Sequence, residues 1–76
     1  TAADVLNALR REFATDWFER FTALDPGAVT QTDEGKTIPA PNSPTGWAQS
    51  VGIHPGSAEA LHRRLKRIAD KNYIVR

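Results

Sequence analysis

The chain is 76 residues long, with ten Lys and Arg residues, nine Asp and Glu residues and no Cys. Such a length accommodates one domain with a small core, and the missing Cys excludes disulfide bonds and thiolate zinc sites. No apolar run reaches the roughly 18 residues of a membrane span and no signal-peptide pattern occurs, so we expect a cytoplasmic protein without a membrane partner. We expect a single domain over residues 1–76, either whole or excised from a longer protein.

The net charge of +1 conceals an uneven distribution of charge along the chain. Residues 54–76 carry six basic and two acidic side chains, whereas residues 1–53 carry four basic and seven acidic ones. The two segments therefore have net charges of +4 and −3. A basic segment joined to an acidic body would orient the domain on a polyanion, although charges also cluster by chance in short chains.

The first predicted element is a long amphipathic helix over about residues 2–24. Thr1 with Asp4 three residues later matches a capping box, and Pro26 ends the helix. A break near Ala14–Thr15 is an alternative, because the helix is long for so small a domain. One face collects the large apolar side chains Val5, Leu6, Leu9, Phe13, Trp17, Phe18, Phe21 and Leu24. We expect this face to form the core, and the alternative is that it forms the seam of a homodimer.

A β-hairpin is predicted next, over about residues 28–39. The residues on either side of Asp33-Glu34-Gly35 alternate weakly, and Gly35 can supply the positive φ of the turn. Gly35-Lys36-Thr37 also matches the end of a phosphate-binding P-loop. That motif requires a Gly at position 30, which is Thr, and a following helix, which the prolines at positions 39 and 41 prevent. We therefore expect no nucleotide cofactor.

A second, short helix is predicted over about residues 44–51, with Ser43 as its N-cap and Pro44 at its first position. Trp47 on this helix is expected to be buried. Ala48, Gly52 and Ile53 then follow the helix-turn-helix pattern. In that pattern a small residue lets the two helices cross closely, a Gly allows the positive φ of the turn, and an aliphatic side chain fills the space between the helices.

The third helix is predicted over about residues 57–70, after a corner at Pro55-Gly56. At about 100° per residue, one stripe of this helix is apolar and the opposite side is basic. The apolar stripe consists of Ala58, Leu61, Leu65 and Ile68, and the basic side of Arg63, Lys66 and Arg67. His62 and Arg64 are expected on the two flanks.

From Pro44 to Arg76 the sequence resembles bacterial winged-helix regulators and related DNA-binding modules. The ending LKRIADKNYIVR carries the resemblance best, because the recognition helix of those families usually stops at a Gly and two apolar residues then open the wing. Asn72 holds the Gly position here. The resemblance implies a small, mainly α, α+β fold of the winged-helix type. Its hairpin would lie between the first and second helices, with a short C-terminal strand at about residues 73–76 against it.

The same resemblance implies binding of double-stranded DNA through the helix at about residues 57–70. The protein would be a transcriptional regulator, or the DNA-binding module of a replication or recombination protein from a bacterium or mobile element. The expected DNA contacts are His54, Ser57, Glu59, His62, Arg63, Lys66, Arg67 and Lys71. The alternatives are a protein-interaction domain and RNA binding through the same basic helix. We expect no catalytic residue, cofactor or metal, because the two His residues lack a third ligand at useful spacing.

Overall fold

The computed structural model describes the backbone of residues 1–75 and the side chains of residues 1–71. In chain order the elements are α1 (Ala2–Phe13), a 3₁₀-helix (Ala14–Asp16), α2 (Trp17–Thr22), β1 (Val29–Gln31), β2 (Thr37–Pro39), α3 (Pro44–Val51) and α4 (Pro55–Val75). The strands form a two-stranded antiparallel sheet. A small, mostly helical α+β architecture is thereby confirmed.

The N-terminal helical region is broken at Ala14, near the position where the sequence allowed a break as an alternative to one long helix. The Thr1–Asp4 capping box is present, with the Asp4 N–H donating to the Thr1 hydroxyl at 3.4 Å. Ala14 ends α1 with φ 54° and ψ −130°, a conformation that non-Gly residues rarely adopt. A single helix over residues 2–24 is therefore wrong. The α2 helix ends at Thr22, whose hydroxyl donates to the Phe18 carbonyl at 2.8 Å.

The hairpin between α2 and α3 is confirmed. Val29 pairs with Pro39 and Gln31 with Thr37, and Gly35 in the turn has a φ of 83°. The predicted C-terminal strand is wrong over residues 73–75, which continue α4, while Arg76 lies outside the described residues. The physical reason is that helix propagation is cooperative and the segment contains neither Gly nor Pro, so the Asn at position 72 does not stop it.

The helix pair α3 and α4 is joined by residues 52–54. The predicted bounds of α3 are confirmed, and the Ser43 hydroxyl caps it by accepting the Gly46 N–H at 2.9 Å. Gly52 leaves the helix with a φ of 77°. The α4 helix begins at Pro55 instead of residue 57, because the ring nitrogen Nδ1 of His54 accepts the Gly56 N–H at 3.1 Å and caps the first turn.

The core lies where all four helices meet. Its buried apolar side chains are Val5, Ala8, Leu9, Phe21, Trp47, Ala48, Ala58 and Leu61. The predicted burial of Trp47 is confirmed: its ring stacks on Phe13 and meets Phe21 edge-on, with centroids 5.9 and 5.6 Å apart. The apolar face of the first helical region supplies part of this core. Five of its eight large side chains remain half-buried, namely Leu6, Phe13, Trp17, Phe18 and Leu24.

Candidate nucleic-acid interface

The rotation of α4 about its own axis differs from the prediction. His62, expected on a flank, is only 2% exposed, whereas Ile68, expected in the buried stripe, is 49% exposed. A contact of the His62 side chain with DNA stays a prediction, although the fold leaves the imidazole almost no exposed surface. The reason is tertiary, because the imidazole fills a space beside the ring of Phe21, with 5.2 Å between their centroids.

Burial also determines the charge of His62. Desolvation lowers the pKa of His62, the nearby backbone carbonyl of Leu24 opposes that shift, and the positive charge of Lys66 adds to it. The Nε2 atom is buried without a hydrogen-bond partner among the described residues. The ring is consequently held neutral inside a helix whose other side is strongly basic.

The exposed face of α4 is a stripe of cations, which we call the basic stripe. It consists of Arg63, Arg64, Arg67 and Lys71, all exposed, with Ala60 at its N-terminal end. Residues three, four and seven positions apart share one face of a helix, so these side chains are neighbours. The flank position predicted for Arg64 is wrong: the rotation that buries His62 brings Arg64 onto the exposed face.

The acidic side chains of α4 are both engaged. Glu59 is half-buried and its Oε2 accepts the Thr45 hydroxyl at 2.6 Å, which ties α4 to α3. Asp70 accepts a hydrogen bond from Nζ of Lys66 at 3.0 Å, one helical turn earlier. Asp70 lies three residues after Arg67 and seven after Arg63, so it borders the basic stripe, but its salt bridge is with Lys66. Among the described residues, the four cations of the stripe form no salt bridge.

Besides the half-buried Glu59 and the buried His62, the other six predicted contact residues fall into three places. Arg63, Lys66 and Arg67 line one groove beside the turn at Pro26. His54 and Ser57 instead line a separate groove of about 400 Å³, together with Thr1 and with residues along α1 as far as Arg11. Lys71 is exposed further along α4.

Sequence reasoning missed two features of this face. Treating His62 as a core residue would have rotated the predicted stripe and exposed Arg64, so this signal was present in the helical spacing. The hydrogen bond between Thr45 and Glu59 joins residues 14 positions apart on different helices, and no local pattern indicates it.

No protein-family model matches the chain, and neither a curated protein nor a solved structure does. Within residues 1–75, no helix is both long enough and apolar enough to span a bilayer. The described side chains also form no group of three or more His, Cys, Asp or Glu residues that could hold a metal ion. A functional assignment therefore depends on the geometry of α4 and its neighbours.

Proposed function

We propose that the domain binds double-stranded DNA through the basic stripe of α4. The observation that carries this proposal is the spacing of four exposed cations on one helical face, bordered by one exposed carboxylate, Asp70, whose salt bridge is with Lys66. An Arg guanidinium can donate two hydrogen bonds to guanine, and both Arg and Lys neutralise phosphates. An α-helix has the dimensions to enter the major groove, so a helix with this face suits groove binding.

The way in which α4 is held supports the proposal. Ala48 of α3 is fully buried, Gly52 has a positive φ, and Ile53 is half-buried against the core. These three positions meet the physical requirements of a helix-turn-helix, in which the first helix braces the second against the body of the domain. We infer that α3 plays the bracing part and that α4 is the recognition helix.

The basic side chains of α4 are assigned to two kinds of DNA contact according to their distance from the N-terminus of the helix. In helix-turn-helix proteins the N-terminal part of the recognition helix reaches base edges. We therefore assign base contact to Arg63 and Arg64, and phosphate contact to Arg67 and Lys71, one and two turns further on. Lys66 lies at the edge of the stripe, and its exposed ion pair with Asp70 is weak enough to exchange for a phosphate.

The test is a salt series of binding to random duplex DNA. For every phosphate that a variant no longer neutralises, the slope of log affinity against log salt should decrease by about 0.9. The double variant R64A/R67A should bind less tightly and with a smaller slope. The matched control is R10A/R11A, which removes the same charge from exposed positions on α1. If the two variants lose the same affinity for DNA, the loss is explained by net charge alone and the proposal is contradicted. If the wild type binds structured RNA more tightly than duplex DNA, the basic stripe is an RNA-binding surface instead.

A second candidate function is protein interaction through the aromatic side chains of α2. Trp17 and Phe18 are both half-buried and pack edge-to-face at 5.8 Å, so part of each ring faces solvent. Aromatic side chains of this kind are enriched in protein interfaces. A homodimer through this surface would show concentration-dependent sedimentation in the wild type, and Phe18→Ala would remove it.

A further inference from the structure

A groove runs along one side of α4, next to the turn that contains Pro26. Its first part encloses about 200 Å³ and is lined by Pro26, Pro44, Thr45, Glu59, His62 and Arg63. Its second part, of about 360 Å³, is lined by Pro26, His62, Arg63, Lys66, Arg67 and Asp70. Because Pro26, His62 and Arg63 line both parts, the two adjoin and form one elongated site.

The two ends of this groove offer different chemistry. The first end presents the carboxylate of Glu59, held in place by the Thr45 hydroxyl, and this carboxylate accepts hydrogen bonds. The second end presents Lys66 and Arg67 together with Asp70, whose carboxylate accepts from Nζ of Lys66 at 3.0 Å, so two cations against one acid favour an anion there. Between them lie the exposed ring of Pro26 and the neutral imidazole of His62. A matching ligand has hydrogen-bond donors at one end, an anion at the other and a flat apolar part between them.

We propose that this groove binds one unpaired nucleotide of single-stranded DNA. The phosphate would lie against Lys66 and Arg67, the base would lie over Pro26, and the edge of the base would face Glu59. A paired base cannot take this position, because its edge is occupied by its partner and it would have to leave the stack. This ligand is therefore distinct from the duplex proposed for the basic stripe, although Arg63 and Arg67 belong to both surfaces.

The fixed carboxylate predicts a base preference. A carboxylate can only accept hydrogen bonds, and Oε2 of Glu59 already accepts the Thr45 hydroxyl, so the other oxygen is left to accept from a base. Cytosine presents an exocyclic amino group that donates to such a carboxylate, whereas thymine presents a carbonyl oxygen at the same position. The one donor on the thymine edge, the ring N3–H, lies between two carbonyl oxygens that repel a carboxylate. The groove should therefore prefer cytosine to thymine.

The first experiment compares the hexanucleotides of deoxycytidine and thymidine near neutral pH, followed by NMR shifts of the groove residues. The wild type should bind the cytosine strand at least about fivefold more tightly. Glu59→Gln should abolish or reverse that preference, because an amide can donate to the thymine carbonyl. Equal affinity of the wild type for the two strands, or an unchanged preference in Glu59→Gln, would overturn the proposal.

The second experiment separates the groove from net charge. R67A and R64A remove the same charge from α4, but only Arg67 lines the groove. R67A should weaken binding of the cytosine strand several-fold more than R64A, with thermal melting showing that both variants fold. Equal weakening would overturn the groove assignment. Both experiments use single-stranded DNA alone. A failure to bind duplex DNA would therefore not contradict the groove proposal, and a failure of these two experiments would not contradict duplex binding by the basic stripe.

Discussion

The imidazole of His62 packs edge-on against the ring of Phe21, with 5.2 Å between the two centroids. This packing joins α4 to α2 and determines which face of α4 meets solvent. Because His62 turns inward, Arg64 turns outward and completes the basic stripe. The proposed DNA-binding face therefore depends on a polar side chain that the fold keeps buried and neutral.

Acidification should destabilise the domain through His62. Burial holds the pKa of His62 below its ordinary value of 6.5, so the unfolded chain takes up a proton at a pH where the folded chain does not. The free energy of unfolding should therefore be fully retained above pH 6.5 and fall as the pH drops below it. Urea unfolding from about pH 8 to about pH 5 measures this decrease.

The matched variants for this prediction are His62→Leu and His54→Gln. The first removes the buried imidazole and should flatten the pH dependence between about pH 5 and pH 7. The second changes the other His of the chain, so a pH dependence that remains in it does not originate at His54. A wild-type free energy of unfolding that stays constant over this range would show that His62 is not desolvated as the structure indicates.

Gly46→Ala should destabilise the domain although Ala is the better helix former. A Cβ at position 46 would run into the carbonyl carbon and oxygen of Ala40, which are backbone atoms and cannot move aside easily. The gain in helix propensity is about 1 kcal/mol, and forcing atoms into a packed site costs about 1–3 kcal/mol or more. Thermal melting should show a net decrease in stability. The control Gly27→Ala meets only Asp25 Oδ1 at 3.6 Å and should melt as the wild type does.

Ala14→Gly should stabilise the domain, which is an unusual direction for a Gly substitution. Ala14 has φ 54° and ψ −130°, a region that Gly enters without the clash of a Cβ. Relief of this strain is worth on the order of 1 kcal/mol. Ala3→Gly is the control, since it is exposed within α1 and should destabilise by about 1 kcal/mol. If both variants were less stable than the wild type in chemical unfolding, Ala14 would not be strained.

Trp47→Ala should unfold the domain or destabilise it by about 3–5 kcal/mol. The ring is 5% exposed and packs on Phe13 and Phe21, so its removal opens a cavity in the centre of the core. Trp47→Phe should cost much less, because the indole Nε1 is buried without a partner among the described residues and its removal breaks no hydrogen bond there. A normal melting temperature for Trp47→Ala would place the indole at the surface.

The sequence by itself determined the structural features that depend only on residues close to one another in the chain. The Thr1–Asp4 box, the Ser43 cap before Pro44 and the positive φ of Gly35 and Gly52 all follow from local hydrogen bonds or from the missing Cβ of Gly. These signals span at most a few residues, so a single sequence contains them in full.

The tertiary structure decided which side of each helix faces inward and where the last helix ends. Helical spacing leaves His62 and Ile68 as rival members of the buried stripe, and the choice depends on the space beside Phe21. The residues before Arg76 are compatible with helix or strand, and a strand there would need the distant hairpin as its partner. Contacts between distant residues settle the first choice, because local propensities differ by less than the energy of packing. At the second, the two-stranded sheet takes no third strand from residues 73–75, so cooperative propagation continues the helix through them.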